Sequence, residues 1–294
     1  MRISAILLAS LALTAAAQAP QPTPEVQVFH PSGPLPSYEV ATIKKADQNA
    51  TGPILAMPIG QRMVTSGPRG ETIKSYIESA YSPSVFSQAQ VVGGPAWLAT
   101  DSYVIQGKPS DELRESMQKM TVEQQGDQTH MMQQSLLADR FKLKVHFEVR
   151  EMPIYELTPA KGGLKIKEVP APPASVPGGP PMLPPTAGGQ PPPGMTLIMK
   201  KESATTVTAR STTMASLINI LRRRLDSPKN PIVDKTGFTG NFDIADLEFS
   251  DLNTDSDAPS LVTALQEKLG LKLVATKGPV EVVVIDSIER PSEN

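Results

Sequence analysis

Thr213-Met214-Ala215-Ser216-Leu217-Ile218 repeats the pattern of Thr72-Ile73-Lys74-Ser75-Tyr76-Ile77: a threonine suited to cap a helix, then apolar residues at helical spacing. In the later copy the apolar stripe runs on through Leu221 and Leu225, so that face needs a sheet or a second helix to cover it. Working outward, Asp101-Ser102-Tyr103-Val104-Ile105 parallels Asn241-Phe242-Asp243-Ile244, each strand-like and entered from a Gly-containing loop. A second helix follows in both. Leu136, Leu137, Arg140 and Phe141, before Lys142-Leu143-Lys144-Val145, correspond to Ala264, Leu265, Lys268 and Leu269, before Gly270-Leu271-Lys272-Leu273. Gly270 suits the left-handed position just past a helix C-terminus.

With leading strands at Tyr38 to Lys44 and Thr196 to Lys201, each copy reads strand, strand, helix, strand, helix, strand, strand. The last two strands are expected to form a hairpin-like pair, the second beginning at Pro153 or Pro279. Helices mixed with antiparallel pairs in this way predict an α+β fold with helices on one sheet face. Val280 to Ile285 is apolar on both alternating faces apart from Glu281, the mark of a central strand.

The chain divides where its composition changes. Pro170 to Gly194 holds eleven prolines and five glycines, 16 of 25 residues, too little apolar surface to offset the entropy of ordering it. Residues 170–195 are therefore expected to be a disordered linker between a first α+β module at 37–169 and a second at 196–294. Residues 20–36, Pro-rich and aperiodic, read as an extended tether. Residues 1–19 combine Arg2, an apolar run from Ile3 to Leu13 and small residues at Ala15, Ala17 and Ala19, which predicts a secretory signal peptide. Proline at position 20 makes Ala17 the better cleavage point. No later run approaches the length of a membrane-spanning helix.

Composition removes several classes of function. In 294 residues, 28 Lys and Arg face 30 Asp and Glu, so no basic field exists to draw nucleic acid or anionic lipid. The absence of cysteine excludes disulfides, thiol nucleophiles, Cys-zinc sites and iron–sulfur clusters.

Each candidate for chemistry falls short of its motif. Ser116-Met117-Gln118-Lys119 and Lys235-Thr236-Gly237 supply two marks of a penicillin-recognising acylase, but the third, a Ser-x-Asn between them, is missing; the only one is Ser292-Glu293-Asn294. Asp251, Asn253, Asp255 and Asp257 have the alternate spacing of a calcium loop, yet Ser256 and Val262 stand where a glycine and a bidentate glutamate belong. The histidines, His30, His130 and His146, show no helical pairing for a metal. Arg222-Arg223-Arg224 reads as the polar face of a helix, and Trp97, after Gly93-Gly94-Pro95-Ala96, as a plug at the edge of a core. No catalytic, cofactor-binding or metal residues are assigned.

Several stretches together resemble a known family: Tyr38-Glu39-Val40-Ala41-Thr42-Ile43-Lys44, Gly93 to Leu98, Leu136 to His146, Val233 to Asp243, Leu269 to Leu273, and Lys277 to Asp286. The chain resembles the soil-associated exported proteins of unknown function that are abundant in Acidobacteria. It departs in Phe242, where the family often has tyrosine, and in its Pro-rich linker. The resemblance implies export. It also implies kinship with domains attached to metallopeptidase sensors resembling the beta-lactam receptor, although H-E-x-x-H is absent here. The resemblance carries no catalytic residues. The modules are also similar, in topology alone, to the small domains at the N-termini of secretins and TonB-dependent receptors, which bind other proteins.

The expectation is a non-enzymatic module, periplasmic or extracellular, that binds another envelope protein or a small envelope ligand without cofactor or nucleic acid. Strand addition at a sheet edge would use backbone groups and leave no motif. The alternatives are a motif-poor envelope hydrolase and a structural spacer.

Overall fold

The computed structural model describes residues 23–47, 63–64, 69–83, 88–172, 191–201, 204–224, 230–250 and 258–291. The signal peptide, most of the Pro/Gly-rich linker, Leu225, the acidic loop at 251–257 and the tail at 292–294 lie outside the described residues. The first half runs β1 Val40–Lys45, β2 Met63–Val64, β3 Glu71–Thr72, α1 Ile73–Ala80, β4 Gln90–Gly93, α2 Trp97–Thr100, β5 Ser102–Lys108, α3 Asp111–Gln118, α4 Val122–Arg140 and β6 Lys144–Pro159. The second runs β7 Glu168–Val169, β8 Thr196–Lys201, β9 Ala204–Thr212, α5 Met214–Arg224, β10 Ile232–Asp234 and β11 Asn241–Ser250. It continues with α6 Leu261–Ala264, which passes into a π-helical turn at Leu265–Leu269, and β12 Leu271–Ser287. The class is α+β, with three sheets in the orders β1-β5-β2 (β3 also on β5), β10-β6-β12-β4 and β7-β11-β9-β8.

The two closing hairpins of the sequence reading are instead two long single strands. β6 and β12 pair antiparallel with each other, from Leu271 opposite Pro159 to Ser287 opposite Lys144, with one irregularity near Asp286. Proline does not break them, because of where the two prolines fall in the ladder. The Pro279 carbonyl accepts from Glu25 N at 2.8 Å on the edge away from β6. Since N–H and C=O of one strand residue point to the same side, the donor missing at Pro279 also belongs to that outer edge. Pro153 opposes Lys277, two positions along, and by the same alternation it too costs the ribbon no hydrogen bond.

This ribbon serves two cores. α1 and α4 cover the first, where Ile73, Ile77, Leu137 and Phe141 meet Val283 and Ile285 from the far end of β12. α5 and the α6 turn cover the second, where Leu217, Leu221, Leu265 and Phe242 meet Leu157 from the far end of β6. Each long strand thus begins beside its own helix and ends in the opposite core. Two parallel pairings complete the exchange: β4 of the first half lies on β12, Val91 opposite Val283, and β10 of the second half lies on β6, Val233 opposite Glu156. The two halves consequently share the central sheet and are tied by more than the linker.

Local signals act as their chemistry requires. Thr72 accepts from Ser75 N at 3.2 Å and Thr213 from Ser216 N at 3.2 Å, capping α1 and α5. Gly270 ends the π-helical turn at φ +67, and a Cβ there would collide with the Gly163 carbonyl. Thr72 opposes Ser102 and Thr212 opposes Phe242, the same pairing displaced by 140 residues. The leading strands do not correspond in this way. β1 flanks β5 on the side where β7 flanks β11, whereas β8 is an outer strand on the opposite side, beyond β9.

Residues 25–30, read from sequence as tether, are seated on the body. Glu281 N donates to Val26 O at 2.9 Å, Phe29 N to Tyr81 O at 2.8 Å, and Val28 is buried. The alternation of Val26 and Val28 places apolar side chains on the body, which a solvated tether would not do.

Because Leu157 belongs to β6 but fills the second core, Leu157→Ala should lower the stability of the whole chain by ~2–5 kcal/mol, with one cooperative transition in urea. Two separated transitions would show that the halves unfold apart.

Candidate functional site

The structure disperses the residues singled out for catalysis. Ser116 is exposed on α3, and Lys119 is exposed at that helix's C-terminus. Lys235-Thr236-Gly237 follows β10 at the second core. Its hydroxyl is used locally: Thr236 Oγ1 donates to Asp234 Oδ1 at 2.7 Å and accepts from Phe238 N at 3.1 Å. Lys235 pairs with Glu25 at 3.4 Å. These are turn-forming contacts, and they do not compose an acylase site. Trp97 packs half-buried against the first core with the Arg290 guanidinium 5.0 Å from its ring centre, and Arg290 Nε donates to Asp101 Oδ2 at 3.1 Å. Arg222 and Arg224 are half-buried on α5 rather than fully solvated, and Arg222 donates to Asn219 Oδ1 at 3.4 Å.

The three histidines stand in unlike surroundings. His146 lies on the exposed face of β6, Nδ1 2.7 Å from Asp286 Oδ1 and Nε2 3.0 Å from Glu148 Oε1, and Arg150 holds the other Glu148 oxygen at 2.8 Å. The hydrogen bonds to Glu148 and then Asp286 raise its pKa, and the bond from His146, then that from Arg150, lowers that of Glu148. With a carboxylate on each ring nitrogen the protonated imidazole is favoured, and neither nitrogen offers a lone pair to a substrate. The cluster therefore pins the ends of β6 and β12 together and is not placed to act as a base. His30 Nε2 donates to Glu281 Oε1 at 3.0 Å, and the ring packs edge-on to Phe147.

His130 differs from both. It is buried on α4, edge-on to Phe29 with centroids 5.4 Å apart, and its Nδ1 has no hydrogen-bond partner among the described residues. Desolvation pushes its pKa down to about 4, so it is neutral in the folded chain. Among the described residues no group of three or more His, Asp or Glu side chains is placed to hold a metal ion.

The sheet margins are the remaining candidates, and they are unequal. β7, β10 and β4 are edge strands of two, three and four residues, short enough to offer little pairing surface. β1 has six, but Arg140 Nη1 reaches its Ala41 carbonyl at 3.5 Å. β8 also has six, pairs only with β9 among the described strands, and exposes Ile198 at 42% and Met199 at 50%. Arg210 N donates to Met195 O at 3.2 Å, one step before Thr196 in the same register. Alternation along the strand then turns the N–H and C=O of Thr196 and Ile198 outward. Among the described residues, a six-residue edge with outward backbone groups and adjacent apolar side chains is the feature best suited to receiving an extended segment. The sequence identified Thr196 to Lys201 as a strand. Its place at an edge depends on where β9 and β11 lie, which no local pattern encodes.

The architecture defines a cysteine-free α+β protein with a shared central ribbon and, among the described residues, a six-residue sheet edge at β8. More particularly, the chain belongs to the family described as protein of unknown function (DUF3738), whose profile matches residues 74–288. No curated protein and no solved structure matches it. No helix among the described residues is long and apolar enough to cross a membrane.

His130 generates a pH prediction. Its folded pKa near 4 lies below the ordinary value of about 6.5, so below pH 6.5 the unfolded chain binds a proton that the folded chain refuses, and stability falls as pH drops from 6.5 towards 4. Between pH 7 and pH 5 the loss from this group should be ~2 kcal/mol. In urea titrations at the two pH values, His130→Leu should show a correspondingly smaller drop. An equal drop in variant and wild type would show that His130 titrates normally.

Proposed function

We propose that this chain is an exported envelope binding module, built of two related α+β units, that recognises an extended segment of another envelope protein by adding it as a strand beside β8. The observation that carries this reading is the β8 edge itself: outward backbone groups at Thr196 and Ile198, with Ile198 and Met199 exposed. Backbone groups would supply most of the binding and the two apolar side chains the register, which accounts for the lack of any residue motif in the chain. Export rests on the apolar segment from Ile3 to Leu13 and the small residues after it, and it places the partner in the periplasm or outside the cell. The dispersed serine, lysine and histidine side chains favour this reading over a hydrolase.

The test uses the geometry of the edge. Ile198→Pro removes an outward N–H without touching the β8–β9 ladder, so it should cost about 1 kcal/mol or less of stability. A photo-cross-linking residue at Met199 should give one discrete protein adduct in the host envelope, and the adduct should vanish when Ile198 is proline. An adduct that persists undiminished in the proline variant would remove strand addition from consideration.

A further inference from the structure

A second sheet edge is already occupied, and by this chain itself. β4 covers the margin of β12 only from Val282 to Ile285. Beside it, Val26 makes a parallel bridge to Val280, with Glu25 N donating to Pro279 O at 2.8 Å and Glu281 N to Val26 O at 2.9 Å. The Glu281 carboxylate clamps the segment, accepting from Val28 N at 3.0 Å and meeting His30 at 3.0 Å. Val26 packs on the cluster of Val280 and Val282, and Phe29 lies against His130. This is recognition of an extended peptide: backbone pairing gives affinity and alternate side chains fill the seat.

The peptide is joined to β1 through Pro31-Ser32-Gly33-Pro34-Leu35-Pro36. The connection turns at Gly33, whose φ of +95 a glycine tolerates, and its three prolines stiffen the chain on either side, so Gly33 is the pivot about which the segment seats on its own body or swings out to another. Every contact that seats residues 25–30 is available equally from the same residues of a second copy, so the choice between the two falls to the hinge. We propose that residues 25–30 form an exchangeable arm, and that two copies of this chain pair by each laying its arm along β12 of the other. The exchange is reciprocal, so it closes on a two-fold dimer and leaves no free seat for further growth.

The lack of cysteine allows a direct test. A Val26→Cys chain and a Val280→Cys chain are purified separately and mixed at about 0.1–1 mM, near the effective concentration of a short tether, under mild oxidation. Val280 is fully buried, so a thiol there is reached only by a segment sitting in the seat. The expected product is a disulfide-linked dimer, with none when the arm thiol is moved to the exposed loop as Lys161→Cys. To avoid dependence on a buried substitution, unsubstituted chains labelled with 14N and 15N are mixed and weighed by native mass spectrometry. A mixed-isotope dimer that disappears on deleting residues 23–30 supports arm exchange. Monomer alone at every concentration, with no mixed disulfide, overturns it.

Discussion

The antiparallel pairing of β6 with β12 is the constraint on which everything else depends. Sixteen- and seventeen-residue strands are long for a protein of this size, and neither belongs to a single core. A side chain at one end of each strand packs under one pair of helices, and a side chain at the other end packs under the second pair. Register is consequently severe. A slip by one residue would turn Val283 and Ile285 out of the first core and Leu271 out of the second at the same time, so the two cores enforce a single alignment.

The same constraint explains how charge is arranged. Where the ribbon's face is open to solvent, at His146, Glu148, Arg150 and Asp286, opposite charges alternate along and across the strands and satisfy one another. Where a charge lies at the ribbon's margin, as at Glu281, it binds the arm. Ionisable groups are thus used to fix strands in place. A histidine held between two carboxylates and a lysine held by Glu25 have little freedom to do anything else.

Much of this fold was legible in the sequence, and the reason is local chemistry. Thr72 and Thr213 announce helices because their hydroxyls cap the first turn, and Gly270 announces a helix end because it alone fits its left-handed backbone. Val280 to Ile285 reads as central because both its faces are apolar. What was not legible is non-local. Pro153 and Pro279 look like strand starts until the partner strand is known, since only the pairing shows that their missing donors face outward. The seat for residues 25–30 and the open margin of β8 depend in the same way on the neighbours of β12 and β9. A candidate site made of backbone groups has no residue signature, and the serines, histidines and acidic residues of the sequence therefore do not mark it.

The crossed ends of the ribbon also set an order of events during synthesis. The first core contains Val283 and Ile285, so residues 73–147, although complete as a helix-and-strand set, lack a wall until almost the whole chain has been made. An N-terminal half waiting in that state exposes Val91 and its neighbours on β4 with no β12 to pair with. The nascent chain is therefore held in a loosely folded condition by its own topology until its last strand has been made.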